Sequence, residues 1–165
     1  MTMSSIVKLT LDSNIKINND IDETIDIAFY VTQEAAKNRI GVKFMGNVWQ
    51  RFMGRINKSK RNEILFELMD DPIVNFIEAL FMGEGYSHYK ERMDSIQNFF
   101  QKIFDLKEVK KITLDIDAYP TEEETIEHGV PVINLHPKEF KEVMFRLHEK
   151  NNHNTPLVRL IMDKN

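Results

Sequence analysis

Residues 110–127, KKITLDIDAYPTEEETIE, hold a hydrophobic pattern and a charge pattern that can be read separately. Ile112, Leu114, Ile116 and Ala118 alternate with Thr113, Asp115, Asp117 and Tyr119, the period-two signature of a strand with one face in a core. The other face is acidic. Pro120 ends the strand, Thr121 to Glu124 has the T-x-x-E spacing of a capping box, and Glu122, Glu123, Glu124 and Glu127 extend the acidity. Between Lys111 and Lys138 there is no Lys or Arg, while six carboxylates fall there: Asp115, Asp117, Glu122, Glu123, Glu124 and Glu127. The chain has 26 acids and 22 bases, a net charge of -4; without those six acids the remainder stands near +2. The negative charge is therefore local, and it points to a kind of partner rather than to a reaction.

Working outward, a chain of 165 residues with 42% hydrophobic content suits one domain able to bury most of the surface its unfolded form exposes. Eleven Phe, nine Met and one Trp supply the core material, which argues against disorder over most of the length. The absence of cysteine excludes disulfides, Cys-ligated zinc and thiol catalysis, and fits a reducing compartment. The opening, MTMSSIVKLTLD, has neither a basic n-region nor a long apolar run, and no stretch reaches the roughly 18 apolar residues of a membrane span. A soluble, cytoplasmic protein is expected.

Ile6 to Leu11 reads as a strand with Val7, Leu9 and Leu11 on one face, and Ile15 to Ile17 as its continuation or hairpin partner. Asp20 is placed as an N-cap with Glu23 three positions on, opening a helix to about Arg39 in which Ile21, Ile25, Ala28, Phe29 and Thr32 share a face. GVKFMGNVWQRFMG, residues 41–54, reads as a short strand and then a helix from about Asn47. Ser59 is placed as the cap of a helix carrying Ile64, Leu65, Leu68 and Met69, and Asp71-Pro72 as the start of a central helix with apolar residues nearly all round, Ile73 to Phe81. Gly83 and Gly85 suit a helix end better than a phosphate loop, since no strand precedes them and no third glycine follows. From Ser87, the residues Tyr89, Met93, Ile96, Phe100 and Ile103 step by four and three, with Phe99 and Leu106 widening the stripe; this is a core face. Val132 to Leu135 is a strand, Pro137 opens a helix with Phe140, Val143, Met144 and Leu147 on one face, and Pro156 to Met162 is a last strand. The expected architecture is α+β: a single domain with a mixed or antiparallel sheet and a helix-rich middle segment packed on it.

Three chemistries compete. Asp115 and Asp117 project from the same side of a strand, the placement that a metal-dependent hydrolase needs, with nearby glutamates to complete an oxygen shell. Against this, no histidine stands at ligand spacing on the strand, and His88, His128, His136, His148 and His153 are scattered as surface or capping residues are. No G-x-S-x-G, Walker loop, dinucleotide fingerprint or H-E-x-x-H motif occurs, so no catalytic residue, metal or cofactor is assigned. A second candidate is the basic run Arg51, Arg55, Lys58, Lys60 and Arg61, which would contact phosphates non-specifically; a solvated helix face or turn explains it better in an acidic protein. The third is a binding module. A concentrated acidic face steers a basic partner and occupies its cleft as phosphates would, and Tyr119 supplies an aromatic anchor amid the carboxylates.

The acid-rich segment LDIDAYPTEEETIE, the size, the lack of cysteine and an α+β pattern without catalytic signatures together resemble the immunity proteins of bacterial toxin systems, particularly those of contact-dependent growth inhibition. The resemblance is one of general character over the chain. It implies a cytoplasmic protein that binds the C-terminal toxin domain of a larger effector, often a nuclease, and blocks its active site or substrate approach; the lack of a motif leans against an enzyme without excluding one. On that reading Asp115, Asp117, Tyr119, Glu122, Glu123, Glu124 and Glu127 form the partner-binding surface; no membrane partner is expected, and nucleic acid is the least favoured of the three readings.

Overall fold

Alternation of apolar and polar residues builds the centre of the molecule. In β1 (Ser5–Leu11) every second residue, Val7, Leu9 and Leu11, is fully buried, and Ile6, Lys8 and Thr10 between them are half-buried. The computed structural model describes residues 5–12, 23–52, 62–69, 73, 86–116, 127–150 and 157–165. After β1 come α1 (Glu23–Lys37), β2 (Gly41–Met45), α2 (Gly46–Phe52), β3 (Glu63–Met69), α3 (Tyr86–Phe104), β4 (Val109–Ile116), β5 (Val132–Asn134), a 3-10 turn (Pro137–Glu139), α4 (Phe140–Lys150) and β6 (Val158–Asp163).

The strands form one six-stranded sheet in the order β2-β3-β1-β4-β6-β5. All neighbours pair antiparallel except β5 with β6, which run parallel. The architecture is thus α+β with a mixed sheet. The register aligns Phe44, Phe66, Val7, Leu114 and Leu160 in one row across the inner face. Against that face lie Ile27, Ala28, Val31 and Ala35 of α1, Met93, Ile96, Phe99, Phe100 and Ile103 of α3, and Phe140, Val143 and Met144 of α4. Aromatic rings run through the core in contact, with centroids 5.6 Å apart for Phe44 and Phe66, 6.3 Å for Phe66 and Phe99, 5.4 Å for Phe99 and Phe100, and 5.2 Å for Phe100 and Phe140. Each tilted pair adds about 0.5–1.5 kcal/mol to the burial of its area, so this series ties β2 and β3 to α3 and α4.

Several sequence expectations change here. Residues 63–69 are a strand and not a helix: Ile64, Phe66 and Leu68 are buried while Glu63, Leu65 and Glu67 between them are half-exposed. The helix-rich middle is therefore split by β3, which pairs with both β2 and β1. In α1 the buried face is Thr24, Ile27, Ala28, Val31, Glu34 and Ala35, whereas Phe29 is 55% exposed and Thr32 is exposed. The strand 6–11, the strand and helix after Gly41, the core stripe of α3, the strand at 132 and the helix behind Pro137 stand as read, Leu147 being half-buried beside the core. The segment 15–17, the N-cap Asp20, Gly83 and Gly85, the extension of β4 through Ala118 to Pro120, and Thr121 to Glu124 lie outside the described residues. So does most of the helix placed from Ile73, although Ile73 itself is fully buried.

Candidate functional site

The outer sheet face is where β4 carries its polar residues, and it is built as a set of opposed charges. Register places Lys43 opposite Glu67, Asp115 opposite Arg159, and Lys111 opposite Asp163. Opposite charges facing each other across strands stabilise a sheet modestly, by about 0.2–1 kcal/mol per pair. One of these pairs is closer than register alone requires. Arg159 Nε donates to Asp115 Oδ1 at 2.7 Å and Nη2 to Oδ2 at 2.9 Å, a fork that uses both carboxylate oxygens. The side chains retain only 9% (Arg159) and 17% (Asp115) of their exposure.

That pair decides what Asp115 can do. A carboxylate with both oxygens held by a guanidinium does not offer them to a divalent cation, and among the described residues no group of three or more His, Asp or Glu could hold a metal ion. It is equally ill-placed to meet a partner. Of the other residues assigned to the acidic surface, Glu127 is described and exposed, just before the turn at Gly129, whose φ of +65° favours glycine. Asp117, Tyr119, Glu122, Glu123 and Glu124 lie outside the described residues. Of the basic run only Arg51 falls in a described element, α2; Arg55, Lys58, Lys60 and Arg61 do not.

Two of the histidines, His136 and His148, have structural places. His136 caps the 3-10 turn: its Nδ1 accepts from the Lys138 N–H at 3.1 Å, and its own N–H donates to Glu139 Oε1 at 2.9 Å. Its ring also stands edge-on to Phe104, centroids 5.1 Å apart, with the Lys164 ammonium 5.1 Å from the same phenyl centroid. Burial lowers the pKa of that ammonium, and Asp105 and Glu108 partly oppose the shift. His148 is buried on α4.

No family model, curated protein or solved structure matches this chain.

Among the described residues lie two concave places that the sequence does not make evident. A cleft of about 250 Å³ is lined by Arg39, Glu91, Arg92 and Ser95. Arg92 there spends its guanidinium on the end of α1, donating to the carbonyls of Asn38 at 2.7 Å and Arg39 at 2.9 Å. Burial, with Arg39 alongside, holds the Arg92 pKa below its ordinary value. The helix end it serves is a Schellman motif: Ile40 N–H donates to Ala35 O, Arg39 N–H donates to Ala36 O, and Arg39 takes a φ of +56°. The second place is a groove of about 230 Å³ between β5 and α4, lined by Ile133, Val143, Leu147, Arg146 and Lys150. Sequence reading missed Arg159 as well. Its signal was a lone arginine inside the apolar run LVRLIM, but its partner could be found only once β4 and β6 were known to be neighbours.

Proposed function

We propose that the chain is an immunity protein: a stoichiometric inhibitor that binds a basic toxin domain in the cytoplasm, most readily one whose cleft is built for a polyanion. The observation that carries this reading is the placement of charge. The described outer face sets opposite charges against one another, Asp115 included, while Asp117, Glu122, Glu123, Glu124 and Glu127 follow within eleven residues that contain no Lys or Arg. A dense acidic segment in a chain whose remaining charges nearly balance gives a directed field, which raises the association rate with a basic partner, an effect that salt weakens. Tyr119 is the anchor within it, and Asp115 serves as the strut that holds β4 to β6 at its base. The metal-hydrolase alternative loses its main carboxylate to Arg159. No helix among the described residues is long and apolar enough to cross a membrane.

Co-expression with the C-terminal portion of the protein encoded by the preceding open reading frame tests the reading. Toxicity of that portion alone, relieved by this chain with a one-to-one complex recovered, is the expected result. The variant Glu122→Lys, Glu123→Lys, Glu124→Lys should then slow association and flatten its salt dependence. A harmless neighbour, or two proteins that never associate, removes the immunity reading; unchanged kinetics of the variant removes the acidic segment from the interface.

A further inference from the structure

The sheet ends at β5, and that end carries unused strand chemistry. In the parallel β5–β6 ladder, Arg159 N–H donates to Pro131 O at 2.9 Å and Leu135 N–H to Ile161 O at 3.0 Å, with Ile133 in register with Leu160. Residues between these positions turn their backbone groups the other way, so the N–H and C=O of Val132 and Asn134 point away from β6. No further strand of the described residues follows β5, Val132 is 52% exposed, and Asn134 is exposed. Ile133, by contrast, points inward and floors the 230 Å³ groove together with Val143 and Leu147 of α4.

The groove is apolar below and cationic at its rim. Arg146 and Lys150 lie one helical turn apart, both are exposed, and neither forms an ion pair with a described residue. At about 100° per residue, Glu142 and Glu149 fall roughly 100–120° around the helix from Val143, beyond Arg146 and off the groove. In a chain of net charge -4, this pairing of two cations over an apolar floor is a local feature.

We infer that the β5 edge and the α4 groove together bind an extended acidic segment of a partner protein as an added seventh strand. One large apolar side chain of that segment fills the groove, carboxylates two residues to either side meet Arg146 and Lys150, and the backbone pairs with Val132 and Asn134. Charge complementarity selects the partner, and the backbone pairing supplies affinity without regard to its remaining sequence. None of these residues belongs to the acidic segment on which the proposed inhibitor function rests, so failure here would leave that function standing.

Fluorescence anisotropy on the full chain tests the inference, with a labelled peptide TETLTET as probe. The expected result is saturable binding by about 1 mM. The peptide TKTLTKT, and TETLTET bearing N-methyl groups on both the leucine nitrogen and that of the threonine after it, one of which faces β5 whichever way the segment runs, should each bind at least tenfold more weakly. The double variant Arg146→Glu, Lys150→Glu should weaken TETLTET at least tenfold, with circular dichroism unchanged. Val132→Pro should do the same, since it deletes an outward N–H and no β5–β6 bond. No saturation, equal affinity for the basic or N-methylated peptide, or indifference to the variants overturns the proposal. If either variant fails to fold, the two altered peptides decide it on the native chain. A dimer seen by sedimentation and abolished by the Arg146→Glu, Lys150→Glu variant would assign the groove to a second copy of this chain and equally overturn it.

Discussion

Replacing Asp115 by Asn tests whether this carboxylate is a strut of the sheet or part of a binding surface. The substitution keeps the shape and removes the charge that Arg159 holds at 2.7 and 2.9 Å. Breaking a fully buried pair by removing one member costs about 3–5 kcal/mol. Here the side chains keep 17% and 9% exposure, so the expected loss is about 2–3 kcal/mol. For a chain of this size that lowers Tm by about 4–12 °C. Arg159→Met should cost less, because an aspartate left behind can take up a proton or meet water, while a guanidinium cannot lose its charge. In the Arg159→Met background, Asp115→Asn should cost only about 0.5 kcal/mol, giving a coupling of about 2 kcal/mol from the double-mutant cycle. Urea unfolding followed by circular dichroism reads all four proteins. Additive losses below about 0.5 kcal/mol each, within the range of an exposed surface pair, would refute the reasoning. The same variant leaves association with a basic partner unchanged if the strut reading is right.

Other perturbations have equally definite expectations. Phe66→Ala deletes a fully buried ring in contact with Phe44 and Phe99, and should cost about 3–5 kcal/mol in the same urea assay. Arg39→Gly should stabilise by about 0.5–1 kcal/mol, since the φ of +56° that closes α1 suits glycine and strains arginine; a loss would mean that the arginine side chain outweighs its backbone. Gly41→Ala should destabilise the β2 edge by about 1–2 kcal/mol, because the new methyl carbon would stand 2.8 Å from Met69 Cβ. Trimming Met69 to Ala should not relieve this, as the clash is with Cβ itself, and thermal melts of the single and double variants check the point.

Where one periodicity dominates, the sequence is read correctly. β1, α3 and α4 each have apolar residues at a single spacing, and each forms as expected with that face buried. Residues 63–69, EILFELM, satisfy two spacings at once. Ile64, Leu65, Leu68 and Met69 fit a helix and Ile64, Phe66 and Leu68 fit a strand, and the choice falls to pairing with β1 and β2, partners far away in the chain. In α1 the apolar residues outnumber the positions that face the sheet, so spacing alone could not tell that Phe29 would be left outside and Val31 taken in. The acidic face of β4 was legible as a face. That Asp115 belongs to Arg159, 44 residues on, was not, because alternation shows which way a side chain points and says nothing of what stands in the next strand.

The position of β1 between β3 and β4 bears on how the protein is made. Leu9 pairs with Ile64 on one side and with Ile112 on the other, so the second partner leaves the ribosome about 100 residues after β1 does. At about 5–20 residues per second, β1 waits roughly 5–20 s with an open edge of alternating Val7, Leu9 and Leu11 before β4 arrives. During that interval Lys8 is the charge that makes the strand a poor template for a stranger. Its replacement by an apolar residue would be felt in the yield of newly made chains, long before any difference could be measured in the finished fold.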